Sequence, residues 1–279
     1  MEVIPDSYIN VNGYKTRYWK LGQSGSILLL LHGFAFSVEV WEHNIEELAK
    51  NHTVIAIDLL GFGLTDKPKN KQKVEEFPLF VRDFLQALKI ESLHIVGHSM
   101  GGLIALRFTQ LFGTMVKSLT LISSAGLDRK IPIHFRLFSL PFVGEHFVRP
   151  NKYGLQSALR KNVYHPHIDL SDLSNKLYEY SLHPEMAKTL LNVCRAAINI
   201  WGFKRKIVKT IEKEMCKVTC PVLIIWGEND CIIYADHAHK AHKMLKNSQL
   251  EIFPACGHLP QFEYPDKFNA ILSHFISNN

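Results

Sequence analysis

This sequence lacks long apolar runs and recognisable signal features, and it contains few cysteines. No stretch reaches the roughly 18 consecutive apolar residues that a membrane-spanning helix needs. The first residues carry neither the basic nor the apolar segment of a secretory signal, so we expect no signal peptide. Only 5 cysteines occur among 279 residues, without metal-ligand spacing. This odd number favours reduced thiols and a cytoplasmic protein. Repeats and low-complexity tracts are also absent, and a hydrophobic content of 47% suits a globular domain.

What the sequence contains is a regular alternation of strand and helix patterns. Predicted strands cover residues 8–11, 14–20, 26–31, 52–57, 92–96, 116–122, 222–225 and 248–253. Predicted helices cover residues 40–49, 77–88, 99–111, 234–245 and 266–275. Asn12-Gly13 joins the first two strands and indicates a hairpin at an antiparallel edge. The alternation predicts an α/β fold with a doubly wound, mostly parallel sheet.

The alternation stops between about residues 131 and 217, where helical patterns follow one another without a convincing strand. We therefore predict a helical cap at residues 129–217, inserted into a core formed by 1–128 and 218–279. The cap contains 16 Lys and Arg against 7 Asp and Glu, whereas the remainder contains 16 against 19. The net charge of +6 therefore comes entirely from the cap.

The strongest local signal is a G-x-S-x-G pentapeptide at residues 97–101. An apolar run leads into it and a helical pattern follows it directly, which is the context that this motif requires. A serine at the tip of such a sharp turn is crowded, so the residues two before and two after it must lack side chains. The spacing predicts that Ser99 is a nucleophile presented outward from the turn, with the N-terminus of a helix behind it.

A serine nucleophile needs a base and an orienting acid. Asp230 follows the predicted strand 222–225, and His258 follows the strand 248–253. Because the carboxyl ends of parallel strands meet at one edge of a sheet, both can converge on Ser99. Glu228 lies two residues before Asp230 and remains an alternative acid.

Over most of its length the chain resembles the α/β-hydrolase-fold serine hydrolases, which share the chain order Ser99, Asp230, His258. Residues 26–34 resemble the strand of that family and its His-Gly turn, and residues 58–63 resemble its D-x-x-G-x-G loop. The W-G-x-x-D pattern of the family also falls on Asp230. The resemblance implies that the backbone N–H groups of Phe34 and Met100 form the oxyanion hole. It also implies Ser-His-Asp chemistry that needs no metal and no cofactor.

Other polar residues have structural interpretations. We expect His32 to form hydrogen bonds within its own turn and Asp58 to organise its loop. His239 and His242 could share one face of a helix with no strong third ligand, so a metal there is not expected.

The resemblance implies a reaction class less firmly than it implies the residues. A serine nucleophile argues against epoxide hydrolases and haloalkane dehalogenases, which use Asp, and residues 32–34 lack the turn of proline iminopeptidases. Carbon–carbon hydrolases of ring-cleavage products share the triad and a cap, but usually carry Asn and Trp where this chain has His98 and Leu259. These differences favour a carboxylic ester, such as a monoacylglycerol-type lipid. Carbon–carbon hydrolysis, acyl transfer and a ligand receptor on the same fold remain alternatives.

The basic cap suggests a partner as well as a lid. Segments 133–143 and 200–209 mix basic residues with large apolar ones. Such a mixture is typical of segments that lie at an anionic membrane surface. We expect the cap to admit a lipid-like acyl chain and predict peripheral contact with an anionic membrane. An ordinary helical lid with a solvated basic face is the alternative. No motif indicates nucleic-acid binding.

Overall fold

The computed structural model describes residues 4–279. Residues 1–3, with which the predicted core segment 1–128 begins, lie outside the described residues. The strands are β1 (Ser7–Val11), β2 (Tyr14–Leu21), β3 (Ile27–Leu31), β4 (Thr53–Ile57), β5 (Leu93–His98), β6 (Val116–Ile122), β7 (Ile198–Asn199), β8 (Gly202–Phe203), β9 (Val222–Gly227) and β10 (Ser248–Phe253). The helices are α1 (Ile45–Leu48), α2 (Glu76–Ala87), α3 (Met100–Leu111), α4 (Ile133–Phe138), α5 (Val143–Phe147), α6 (Lys152–Arg160), α7 (Ser171–Ser181), α8 (Met186–Ala197), α9 (Arg205–Lys213), α10 (Asp236–Met244), α11 (Pro260–Glu263) and α12 (Pro265–Ser277).

Within these residues, eight strands form one sheet in the order β1-β2-β4-β3-β5-β6-β9-β10. β1 and β2 are antiparallel, as are β2 and β4, and every later pairing is parallel. The expected mostly parallel α/β sheet with an antiparallel edge is therefore confirmed. The carboxyl ends of the six parallel strands of this sheet, β4, β3, β5, β6, β9 and β10, therefore lie at the same edge, where ligand sites of such sheets form.

Helices cover both faces of the sheet, and this explains the continuous apolar strands. In β3, Leu29 and Leu31 belong to one buried cluster, while Leu28 and Leu30 belong to the cluster on the other face. This alternation follows from the two-residue period of a strand. The sheet is thus a rigid support for the loops at its carboxyl edge.

The prediction of one helix over residues 40–49 is wrong. A 3₁₀ turn at Val38–Trp41 and the short helix α1 replace it. Asn44 interrupts the helix with a φ of −120°. Its buried side-chain amide donates hydrogen bonds to Gln261 O and Asn269 Oδ1 in the C-terminal helical region. A tertiary contact therefore overrides the helical pattern.

Residues 129–217 contain α4 to α9 and contribute no strand to the main sheet. The prediction that this segment has no strand needs one correction, because β7 and β8 form a two-residue hairpin. Gly202 in this hairpin has a φ of 99°, and a Cβ there would collide with the carbonyl oxygen of Arg129. A ladder this short leaves no periodic signal in the sequence. None of the helices between residues 4 and 279 is both long and apolar enough to cross a membrane.

Candidate active site

Ser99 occupies the sharp turn between β5 and α3. Its φ of 55° and ψ of −114° are unusual for a residue with a side chain. Two hydrogen bonds hold this conformation: the Ser99 N–H donates to Ile122 O at 2.8 Å, and the Ala125 N–H donates to Ser99 O at 2.9 Å. The neighbouring strand β6 and its loop therefore support the strained turn.

The glycines on either side of Ser99 occupy backbone contacts that leave no room for a side chain. A Cβ on Gly97 would collide with the carbonyl of Gly101, and a Cβ on Gly101 would collide with the carbonyl oxygen of Leu31. The predicted crowding at positions two before and two after the serine is confirmed.

Two backbone N–H groups lie next to the serine. Gly33 approaches Ser99 so closely that a Cβ on Gly33 would be 3.1 Å from Ser99 Cβ. Phe34 follows in the same loop, and Met100 is the first residue of α3. Within residues 4–279, neither the Phe34 N–H nor the Met100 N–H donates a hydrogen bond to another protein group. Both are free to bind an oxygen atom at this place.

Asp230 and His258 are in direct contact. Asp230 Oδ2 accepts a hydrogen bond from His258 Nδ1 at 2.7 Å. Asp230 Oδ1 accepts two further bonds, from the N–H groups of Ile232 at 2.8 Å and Ile233 at 2.9 Å. Asp230 is 4% exposed and His258 is 1% exposed, so water competes little for these bonds. Because the proton lies on Nδ1, the lone pair of Nε2 is free to act as a base.

The backbone of His258 is held from three sides. The His258 N–H donates to Asn162 O at 2.7 Å, and His98 Nε2 donates to His258 O at 2.9 Å. One residue earlier, the Gly257 N–H donates to Glu263 Oε1 at 2.6 Å. The second oxygen of Glu263 accepts the N–H of Tyr164 at 2.7 Å. Asn162 and Tyr164 belong to residues 129–217, which we call the inserted segment. This segment and α11 thus hold the loop that carries His258.

The ring of His98 packs against the ring of His258, with 4.7 Å between the ring centroids. Burial first, and the nearby His258 second, keep the pKa of His98 well below its usual value. A neutral His98 can donate from Nε2 without adding positive charge beside His258. The sequence gives no signal for the contacts of His98 and Asn162 with His258, or of Glu263 with Tyr164, because the two partners of each contact are about 100 residues or more apart.

The structural interpretation of His32 is confirmed. His32 Nδ1 donates to Gly33 O at 2.7 Å, and Nε2 accepts the Leu59 N–H at 3.0 Å. Burial lowers the pKa of His32 to about 4, so the ring stays neutral and joins two loops.

Asp58 organises its loop, as expected. Its carboxylate accepts hydrogen bonds from the N–H groups of Val38 and Leu64 and from Arg17. Glu228, the alternative acid, is exposed, and its side chain forms no hydrogen bond within the described range. Asp230 alone of these three carboxylates contacts His258.

His237, His239 and His242 all lie on α10. The described residues include no group of three or more His, Cys, Asp or Glu side chains that could hold a metal ion.

Ser99 and His258 both line an apolar cavity of about 90 Å³. The inserted segment contributes much of its wall, through α4, α8 and the β7–β8 hairpin. Among the described lining residues, the polar side chains are those of Ser99, Asn162, Cys194 and His258, and none is an acid, a lysine or an arginine. Among the hydrogen bonds of residues 4–279, none joins Ser99 Oγ to His258. Such bonds often close only when substrate binds.

A family model described as alpha/beta hydrolase fold matches residues 26–265. An uncharacterized protein of Mycobacterium tuberculosis is 32% identical over 95% of this chain and 79% of its own length. The 2-hydroxy-6-oxo-6-(2'-aminophenyl)hexa-2,4-dienoic acid hydrolase of Metapseudomonas resinovorans is 30% identical over 98% of this chain and 91% of its own. Among solved structures, a bacterial membrane phospholipase A superposes with a TM-score of 0.80 at 25% identity, over 98% of this chain and 86% of that one.

Proposed function

Since this chain belongs to the α/β-hydrolase fold family, we propose that it is a serine hydrolase that cleaves carboxylic esters. Ser99 is the nucleophile, His258 the general base and acid, and Asp230 the group that orients the imidazole. The proposal rests on the combination of the Asp230–His258 contact with the strained turn that presents Ser99 to the same cavity.

The proposed reaction has two halves. His258 Nε2 takes the proton from Ser99 Oγ as the oxygen attacks the ester carbonyl carbon. The N–H groups of Phe34 and Met100 donate to the oxyanion, where one such donor contributes roughly 3 kcal/mol. Protonated His258 then gives its proton to the leaving alcohol. Water, deprotonated by His258, attacks the acyl-enzyme; protonated His258 then returns its proton to Ser99 Oγ as the acid leaves.

The lining of the cavity favours an apolar acyl group. Apart from the catalytic pair, the described lining residues offer only Asn162 and Cys194 as polar side chains. Burial raises the pKa of the Cys194 thiol to about 12, so this group stays neutral beside the substrate. An acyl chain of an ester buries apolar surface here without stranding a polar group.

Carbon–carbon hydrolysis is the second candidate, and the relative from Metapseudomonas resinovorans supports it. The name of that enzyme describes a dienoic acid, whose carboxylate would have to be buried. No lysine or arginine among the described lining residues could pair with it. Burial of an unpaired carboxylate is costly, and this argues for the ester.

Hydrolysis of p-nitrophenyl esters from acetate to palmitate tests the proposal, with the Ser99→Ala variant as the control. We expect turnover by the wild-type protein, loss of nearly all of it in Ser99→Ala, and unchanged thermal unfolding. A 2-hydroxy-6-oxohexa-2,4-dienoate is assayed beside the esters through the loss of its dienol absorbance. Turnover of this compound alone would establish the second candidate. Binding of esters without turnover of either class would indicate a receptor.

A further inference from the structure

Large exposed apolar side chains are concentrated on the inserted segment. Of the thirteen in the described part of the chain, nine lie between residues 129 and 217. Phe142 is 89% exposed and Trp201 is 73% exposed, although both have aromatic rings that normally pack inside. A contiguous set of large exposed apolar side chains indicates an interaction surface.

Six of these side chains belong to three adjoining elements: α4, α5 and the β7–β8 hairpin. α4 packs against both α5 and β7, so the three elements form one continuous surface. We call this surface the apolar patch, and it consists of Ile133, Leu137, Phe142, Phe147, Ile200 and Trp201. Ile133 and Leu137 are four residues apart on α4 and therefore share one face of the helix.

The backbone at Phe142 explains how one aromatic ring projects into solvent. Phe142 has a φ of 66°, which is a strained value for a bulky residue. Phe142 is the residue directly before α5, and its ring is almost fully exposed. Because the ring is exposed, packing against other side chains does not offset this backbone strain.

The charge around the patch is positive and largely unpaired. Between residues 129 and 168, Glu145 is the one acidic residue of the sequence. Arg195 binds both oxygens of Glu145 at 2.8 Å, so this acid is neutralised. The exposed cations Arg149, Lys152 and Arg205 have no acidic partner within residues 4–279. An anionic surface would complement this charge.

The elements that carry the patch also form the wall of the active-site cavity. Phe135 lies between Ile133 and Leu137 on α4 and lines the cavity. Ile198 and Phe203 of the β7–β8 hairpin line it too. One thin layer therefore separates the exposed patch from the space beside Ser99.

We propose that the apolar patch docks this protein on an anionic phospholipid surface. The rings of Phe142 and Trp201 enter the interfacial region, and the unpaired arginines and lysines bind the anionic headgroups. Aromatic side chains prefer this depth of a bilayer, and each basic residue near it adds attraction. This docking goes beyond the proposed ester hydrolysis, since it needs no chemical step at Ser99.

Trp201 provides an intrinsic probe for the test. The other three tryptophans, Trp19, Trp41 and Trp226, are all buried. In the Ser99→Ala protein, which cannot consume lipid, we expect the emission of Trp201 to shift to shorter wavelength with vesicles of phosphatidylglycerol and phosphatidylcholine. Lipids brominated on the acyl chain should quench it. Pure phosphatidylcholine vesicles should have at least about tenfold weaker effect, and added salt should weaken the anionic case.

Phe142→Gly is the informative variant, because glycine suits a φ of 66° and the fold loses no buried contact. It should lower the vesicle partition coefficient about tenfold, which corresponds to the loss of one buried aromatic ring. Leu111→Ser is the matched control, since Leu111 is 42% exposed on α3, outside the inserted segment, and it should not change binding. Equal binding to neutral and anionic vesicles, or full binding by Phe142→Gly, would overturn the proposal.

Hydrolysis of p-nitrophenyl acetate in solution separates this proposal from the proposed function. Phe142→Gly lies outside the catalytic machinery and should retain wild-type turnover of this soluble ester. If the wild-type protein turns over the ester but the Ser99→Ala protein does not bind vesicles, the docking surface alone is rejected. Vesicle binding without turnover of any ester by the wild-type protein rejects the ester hydrolase alone.

Discussion

Asp230→Asn is the substitution whose effect follows most directly from the geometry. Asp230 Oδ1 accepts the N–H groups of Ile232 and Ile233, at 2.8 and 2.9 Å, while Oδ2 accepts His258 Nδ1–H at 2.7 Å. An asparagine must keep its amide oxygen at the first position, because an NH₂ group there would face two backbone donors. Its NH₂ group therefore turns toward His258 Nδ1.

A donor at that position moves the proton of His258 from Nδ1 to Nε2, so that Nδ1 can accept. The ring then has no lone pair with which to take the proton of Ser99. The corresponding change in another serine hydrolase lowers kcat about 10⁴-fold, equivalent to about 5.5 kcal/mol. We expect a decrease of about 10³- to 10⁴-fold in kcat here. KM should change less than about threefold, because Asp230 does not line the cavity.

The assay is steady-state hydrolysis of p-nitrophenyl butyrate, with thermal unfolding measured on the same samples. Glu228→Gln is the matched control: it neutralises a carboxylate two residues earlier that is exposed. It should leave kcat unchanged. A folded Asp230→Asn protein that retains more than about a tenth of wild-type kcat would refute this role of Asp230, as would an equal loss in Glu228→Gln.

Two further substitutions test a positioning contact and a partly buried carboxylate. Each carboxylate oxygen of Glu263 accepts one backbone N–H, from Gly257 or from Tyr164, and Glu263→Gln puts an NH₂ donor in place of one of these oxygens. We expect kcat to fall about tenfold in steady-state kinetics and the free energy of unfolding to fall by about 1–3 kcal/mol in urea unfolding. An unchanged kcat would contradict the positioning role. Burial, with Asp172 next, raises the pKa of Glu42 to about 7. This pKa is higher than that of Glu42 in the unfolded chain. The stability that protonated Glu42 contributes to the fold is therefore complete at about pH 4 and is lost as the pH rises through 7. Glu42→Gln should therefore add about 1–2 kcal/mol near pH 8 and little near pH 4, by thermal unfolding; an equal effect at both would contradict it.

The parts of the fold with local signals could be predicted from the sequence. Apolar runs indicate buried strands such as β3 and β9, and β6 and β10 have the predicted bounds. The turn at Ser99 depends on glycines only two residues away, so its geometry is also a local property. Asp230 and His258 could be chosen because each follows a strand, although the pattern left Glu228 open as the acid.

The remaining features depend on contacts between distant segments. Asn44 breaks the predicted helix over residues 40–49 because its side chain binds the C-terminal region. Glu263 binds the N–H of Tyr164, 99 residues before it, and neither residue lies in a recognisable motif. The apolar patch combines α4, α5 and a hairpin that is too short to predict. In each case the determining partner is specified by the tertiary fold, which periodicity does not encode.

The nucleophilic role of Ser99 is the central claim, and reaction with a fluorophosphonate tests it most directly. The activated Ser99 Oγ attacks phosphorus, fluoride leaves, and a stable phosphonyl serine remains. Intact-protein mass spectrometry followed by peptide mapping should find one adduct, on Ser99, in the wild-type protein. Ser99→Ala should remain unlabelled, and His258→Ala should react much more slowly. An unmodified wild-type protein, or an adduct on another residue, would contradict the account.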